Sequence, residues 1–285
     1  MKVCLVGIDG LRLDLAQQEA ETFRRLAAVG SLAAMTIDVP TISGPSWTTL
    51  LTGAAYAEHK IIDNTFAGGR NAELPDFLSK IAAADPRIRT FAGAAWLPLV
   101  DPAGPGPVIH ARAGDQRLGR HTVLCRDSDG GDYAPADAEI TTAASAAIAE
   151  GVDASFVYLG EADAAAHAYG GLSPQYRAAI GRIDDHLRSL VGAVAERATG
   201  TGENWVLAVT TDHGQLDAGG HGGGSELETT SFALACCFGP GTAIQGAGPR
   251  GWPERMQPTE LSGRLIGFAA GAYPAAPPDG EKMAR

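Results

Sequence analysis

The stretch KVCLVGIDG, residues 2–10, is an apolar run that breaks off at Asp9-Gly10, and WVLAVTTDHG, residues 205–214, breaks off in the same way at Asp212-His213. Short apolar, β-rich runs of this kind alternate along the chain with longer helical patterns, the sequence sign of βαβ units around a parallel sheet. Strands are predicted at about Lys2–Ile8, Ala34–Val39, Arg89–Ala94, Ala154–Leu159, Trp205–Thr210 and Phe232–Phe238. Helices are predicted near Leu13–Val29, Pro45–Leu51, Leu74–Ala84, Ala136–Ala149, Pro174–Arg197 and Thr259–Ala270. Ligands gather at the carboxyl ends of the strands in an open α/β sheet. Asp9, the Asp212-His213 pair and Asp163, which follows the fourth strand in YLGEADAAAH, therefore land on one rim.

The stretch from about 97 to 135 is rich in Pro, Gly and Asp and has little periodicity, which predicts a loop or small irregular cap over the sheet. The C-terminal AYPAAPPDGEKMAR is Pro-rich and charged, a loose tail by the same reasoning. With 285 residues, 45% hydrophobic and 19% charged, the chain has the composition of a compact protein with a substantial core, and one domain over 1–285 is expected. Its 22 Lys+Arg against 33 Asp+Glu, a net charge of -11, disfavour nonspecific attraction to nucleic acid or an anionic membrane. A phosphate substrate would need local cations, which bound metal ions supply. The N-terminal apolar run is too short for a secretory signal or a membrane span, and no other stretch spans. Cys4, Cys125, Cys236 and Cys237 are spaced neither as a disulfide framework nor as a metal site. A cytoplasmic protein is expected.

Asp163 and His167 stand four apart, so on a helical turn they share a face and can grip one ion. His221 sits in GGHGGG, where glycines let the backbone fold tightly enough to aim its side chain back at the rim. Mixed Asp and His ligands suit zinc, and less distinctively manganese or iron. Taken alone, Asp9-Gly10 is an ordinary turn and Asp-x-x-x-His is common on exposed helices. The adjacent Asp212-His213 at a buried strand end is costly without partners, and the full set in this order is a strong signal. In DVPTISGPSWTTLLTG a strand ends, Ser43 follows, and Pro45 is a natural first residue for a short helix. A serine at a helix N-terminus is well placed for phosphate chemistry, the alternative being a plain N-cap.

IDG at the first strand, PTISGPSWTTLLTG, HKIIDN, DAAAH, TTDHG and GGHGG together resemble the type I phosphodiesterases/nucleotide pyrophosphatases of the alkaline phosphatase superfamily, over Asp9 to about Gly241. The resemblance implies an alkaline-phosphatase-like, mostly parallel sheet with helices on both faces. It implies two divalent metal ions, most readily zinc with manganese second: one held by Asp163, His167 and His221, the other by Asp9, Asp212 and His213 with the Ser43 oxygen. Ser43 takes the nucleophile's place, with Ser46 and Thr41 as runners-up, and a phosphoserine intermediate is implied. The implied substrate is a small phosphate ester, possibly nucleotide-linked, with a diester preferred. Many such diesterases have Asn three residues after the nucleophile to hold a phosphate oxygen; here that residue is Ser46, whose hydroxyl donates over a shorter reach.

The same segment resembles the sulfatase signature, except that Trp47 replaces its arginine, so a sulfatase or phosphomonoesterase of the superfamily ranks second. A pseudoenzyme or binding module that retains the metals is a further alternative. Asn64 joins Ser46 and Trp47 as a candidate substrate-binding residue. Trp47 or Phe66 could stack on a nucleobase, core being the alternative for both. His59 resembles a structural histidine after the Thr-Gly turn. His110, His121 and His186 are expected at the surface or in loops, and Glu226 and Glu228 are expected to support the site.

Overall fold

A computed structural model describes residues 1–128, 131–240 and 248–273. Gly241 and residues 274–285, nearly all of the expected tail, lie outside the described residues, as do 129–130.

Among the described residues seven strands form one sheet: β1 Lys2–Ile8, β2 Ser31–Thr36, β3 Thr90–Ala94, β4 His121–Cys125, β5 Ala154–Leu159, β6 Trp205–Thr210 and β7 Thr230–Phe238. They are ordered β2-β7-β6-β1-β5-β3-β4. β1 lies at the centre, parallel to β5 and β6, while β7 is antiparallel to both of its neighbours. Successive side chains on a strand point to opposite faces, and in β1 both faces are buried. Val3 and Leu5 join a layer with Trp47, Leu50, Phe77, Leu261 and Phe268, from the helices Ser43–Thr52, Phe77–Ala84 and Leu261–Ala269. Cys4, Val6 and Ile8 join the other layer, with Phe23, Ile140, Ala166 and Leu187 from the helices Glu21–Val29, Tyr133–Ala149, Glu161–Tyr169 and Pro174–Thr201. Truncating one of these buried Leu or Phe residues to Ala is expected to cost about 2–5 kcal/mol.

Three features differ from the sequence reading. The 97–135 region does not stay irregular: it holds the short helices Leu97–Val100 and Ala113–Arg117 and the seventh strand, β4, paired parallel to β3 at the sheet edge. β4 is five residues long and mostly half-buried, so it lacks the continuous apolar run by which the others are recognised. The predicted helix Leu13–Val29 is two helices, Leu13–Glu19 and Glu21–Val29, because Ala20 is extended and Asp184 accepts hydrogen bonds from the Thr22 and Phe23 N–H groups of the second. β2 begins and ends about three residues earlier than expected; its pairing stops at Thr36, opposite the first residue of β7.

The register sets the rim. Ile8 pairs with Leu159 and Gly7 with Thr210, so Asp9 and Asp212 leave the sheet at one edge. Because β7 runs antiparallel to β6, the connection between them, which carries His213 and His221, crosses that same edge. β2 is antiparallel to β7 and so also ends there, delivering the segment that leads to Ser43.

Candidate active site

Asp9, the residue after β1, is fixed through Oδ2, which accepts from the Trp47 indole N–H at 3.0 Å and the Tyr158 hydroxyl at 2.8 Å. Asp212 Oδ1 accepts from the Gly10 N–H at 3.2 Å. The remaining oxygens, Asp9 Oδ1 and Asp212 Oδ2, are buried with no hydrogen-bond partner among the described residues. They lie 3.5 and 3.2 Å from His213 Nε2. His213 Nδ1 is 3.0 Å from the Gly214 carbonyl; a carbonyl only accepts, so Nδ1 carries the proton and Nε2 turns a lone pair toward both carboxylates. Burial pushes the Asp9 and Asp212 carboxyls above their usual range, neighbouring carboxylates adding to it at Asp212, and drives the His213 imidazole well below its own. Three acceptors converging away from water are relieved by a cation.

A second group stands beside the first, nearer the solvent. Asp163 and His167 share a face of the helix Glu161–Tyr169. The loop bearing His221 has positive φ at Gly219, Gly220 and Gly222, and a Cβ on Gly219 would lie 2.2 Å from the Ala166 carbonyl oxygen, so only glycine lets the loop close over the helix. His221 Nδ1 donates to the Thr41 carbonyl at 2.6 Å, which again leaves Nε2 as the free acceptor. That Nε2 is 3.0 Å from His167 Nε2 and 3.5 Å from Asp163 Oδ1, and His167 Nε2 is 3.4 Å from the same oxygen. The His213 and His221 rings stack with centroids 3.6 Å apart, joining the two groups. Burial raises the Asp163 carboxyl well above its ordinary value, with the Asp9 charge adding to it, and burial lowers the His167 imidazole. The structure thus brings together all six residues predicted as metal ligands. The orphaned oxygens and the mixed oxygen and imidazole donors fit divalent cations of the zinc or manganese kind.

Ser43 opens the helix Ser43–Thr52, and its Oγ lies 3.2 Å from His213 Nε2. The two runner-up hydroxyls are engaged elsewhere. Thr41 Oγ1 donates to the Gly223 carbonyl and accepts from the Gly222 N–H, tying the His221 loop down. Tyr56 donates to the Pro40 carbonyl, so Ser46, fully buried 2.9 Å away, donates to the Tyr56 oxygen. This corrects the expectation that Ser46 donates to a phosphate oxygen, because its one proton is committed inside the protein. Trp47 is corrected likewise: it is fully buried edge-on to Phe156 and Tyr158, and it serves the site through its indole N–H rather than by stacking on a ligand. Phe66 is buried in the core. Asn64 is exposed, and its Oδ1 accepts from the Gly44 N–H at 2.8 Å, which leaves its amide N–H groups outside that bond beside the start of the Ser43 helix.

The other histidines stand outside these two groups. His59 is buried between the Thr49 hydroxyl and the Ile61 N–H. His121, expected at the surface or in a loop, is buried at the start of β4 beside the Thr90 hydroxyl; His186 is half-buried on the helix Pro174–Thr201, where a helix was expected. His110 is half-buried, with Nε2 on the Asn71 carbonyl. Glu226 is exposed, whereas Glu228 accepts from the Gly223 and Ser225 N–H groups and so braces the His221 loop. Three contributors went unread in the sequence. Tyr158 supports Asp9, fully buried Gln215 donates to Asp163 Oδ1, and half-buried Trp96 stacks on Tyr158 at 6.5 Å. Trp96 follows the carboxyl end of β3, and the strand-end rule that singled out Asp9 would have found it.

The family model for type I phosphodiesterase/nucleotide pyrophosphatase matches residues 3–223. No curated protein matches the chain in sequence. Among solved structures, murine ectonucleotide pyrophosphatase/phosphodiesterase 5 is similar over 99% of this chain and 98% of its own, at TM-score 0.67 and 16% identity. An inactive form of that protein in complex with AMP is similar at TM-score 0.66 and 17% identity, over 99% of this chain and 97% of that one. Phosphonoacetate hydrolase from Sinorhizobium meliloti, with phosphonoacetate, is similar at TM-score 0.54 and 19% identity over 75% of this chain and 56% of its own. A 2-O GAG sulfatase is similar at TM-score 0.60 and 10% identity over 98% and 71%. The fold is the alkaline-phosphatase-like α/β fold.

Proposed function

Because the chain belongs to the type I phosphodiesterase/nucleotide pyrophosphatase family, we propose that it hydrolyses a phosphodiester or pyrophosphate bond in a small, nucleotide-linked substrate, with Ser43 as nucleophile. The observation that carries this reading is the Ser43 oxygen 3.2 Å from His213 Nε2, where two orphaned carboxylate oxygens converge. Two divalent cations, one on Asp9, Asp212 and His213 and the other on Asp163, His167 and His221, would supply Lewis-acid stabilisation and lower the pKa of the Ser43 hydroxyl. Ser43 Oγ, its proton passing to solvent, attacks phosphorus in line; the bond to the leaving oxygen breaks, that oxygen departing as an alcohol or phosphate, and a phosphoserine ester forms, which water then hydrolyses to release the product and restore the hydroxyl. The N-terminus of the Ser43 helix and the Asn64 amide are placed to receive a non-bridging oxygen.

Trp96, the half-buried ring beside Phe66 and Tyr158, replaces Trp47 as the surface for a flat leaving group. A sulfatase ranks second, and Trp47, standing where that signature has arginine, is bound to Asp9 instead. A cytoplasmic location is supported by Cys4 and Cys236 standing as buried thiols. Among the described residues no helix is long and apolar enough to cross a membrane.

The test is hydrolysis of the p-nitrophenyl diester, monophosphate and sulfate by zinc- or manganese-loaded protein. The diester should turn over fastest, and Ser43→Ala should slow it by at least about 10³-fold. Turnover of the sulfate alone would replace this reading with the sulfatase, and turnover of none with ions bound would replace it with the binding module.

A further inference from the structure

The helix Glu161–Tyr169 begins at Gly160, which has no side chain with which to cap it, yet Asp163 lies in its first turn. An uncapped first turn leaves N–H groups without partners and frays. Here the cap arrives from another element. Asp137, fully buried on the helix Tyr133–Ala149, accepts from the Gly160 N–H through both oxygens, at 3.1 and 3.0 Å, and from the Glu161 N–H at 3.0 Å. One turn earlier on the same face, the Tyr133 ring lies over Gly160, where a Cβ would be 2.4 Å from the ring. Glycine is thus required for Tyr133 to cover the bonds, and the covered carboxylate grips the start of the helix.

We propose that Asp137 is a positioning residue for the metal site formed by Asp163, His167 and His221, holding the first turn of their helix so that the Asp163 carboxylate meets both imidazoles. The inference rests on the two-cation reading above. It touches no ligand directly: its effect passes through the backbone of residues 160 and 161 to Asp163, two residues on. His167, in the last turn, is farther from the cap, so the loss falls mainly on Asp163. The deep group of Asp9, Asp212 and His213 comes from strand ends and their following loops, whose backbone Asp137 does not cap.

The molecule contains its own control. Asp184, also buried, accepts from the Thr22 and Phe23 N–H groups at 2.8 and 3.0 Å and caps the helix Glu21–Val29 in the same remote way, but that helix carries no ligand. The experiment is a zinc titration of metal-free protein against a chromophoric chelator, for wild type, Asp137→Ala, Asp137→Asn and Asp184→Ala, with melting temperatures recorded alongside. Wild type should bind two ions. Asp137→Ala should weaken one of them by about 10–100-fold and leave the other unchanged, and Asp137→Asn, which keeps one acceptor oxygen, should fall between. Asp184→Ala should lower the melting temperature while binding both ions as wild type does. If Asp137→Ala does not fold, Asp137→Asn carries the comparison. Unchanged affinity in the Asp137 variants, or an equal loss in Asp184→Ala, would overturn the inference alone. Wild type binding no zinc would overturn the two-cation reading and this inference with it.

Discussion

Asp9, Asp212 and His213 are 1%, 0% and 0% exposed and follow directly on strand ends, whereas the side chains of Asp163, His167 and His221 are 21%, 49% and 8% exposed and come from a helix and a glycine loop. The two groups use the same residue types. What differs is how each survives without an ion. The outer group is partly open to water, whereas Asp9 Oδ1 and Asp212 Oδ2 are closed off from it and have no hydrogen-bond partner among the described residues. A buried carboxylate without a partner is strongly unfavourable, so on the proposed two-cation reading the deep cation would support the stability of the fold and the outer one would be the more exchangeable.

The comparison is most severely tested by substituting one ligand from each group. Asp212→Asn should lower kcat/KM of the diester by more than about 10³-fold and should not recover with added metal. His167→Ala should lower it by about 10–100-fold at limiting metal and recover in excess. Equal losses, or recovery of the Asp212 variant, would erase the distinction.

A smaller effect lies in the pH dependence of stability. The folded-state values of Asp9 and Asp212 are raised by burial, so their contribution is fully present below the unfolded value of about 3.9 and is lost as pH rises toward the folded values. His213 has a lowered value and acts in the opposite sense: its contribution is present above the unfolded value of about 6.5 and is lost as pH falls from there toward the folded value. Above that pH the carboxylates dominate. Because a metal binds their ionised form, the rise in melting temperature on adding zinc should be greater at pH 8 than at pH 6.5, as thermal melts with and without chelator would reveal; an increment that shrinks with pH would contradict it. The smallest effect is expected from Trp47→Phe, which removes one of the two donors on Asp9 Oδ2 and should cost about 1–3 kcal/mol in chemical denaturation, with kcat/KM reduced less than in Asp212→Asn. A loss as large as that of Asp212→Asn would mean that Trp47 does more than hold Asp9.

The deep group was the more legible in sequence. Asp9, Asp212 and His213 each follow an apolar run, and β1, β5 and β6 have the bounds their hydrophobicity predicts. The outer group was legible through its four-residue spacing and its glycines, which encode a helical face and a tight loop. Supporting contacts were not, because they join residues far apart in the chain: Asp137 meets Gly160, Thr41 meets His221, and Trp47 and Tyr158 meet on Asp9. Trp47 and Ser46 were misread for one reason. Their closeness in sequence to Ser43 suggested a shared surface, but on a helix buried along its whole length only the first turn opens on the rim.

The most direct test of the account is an anomalous-diffraction map of the zinc-loaded crystal. It should contain two peaks, one among Asp9, Asp212 and His213 and the other among Asp163, His167 and His221, with Ser43 Oγ beside the first; brief chelation should remove the outer peak before the deep one. A single peak, or an outer peak that outlasts the deep one, would contradict it.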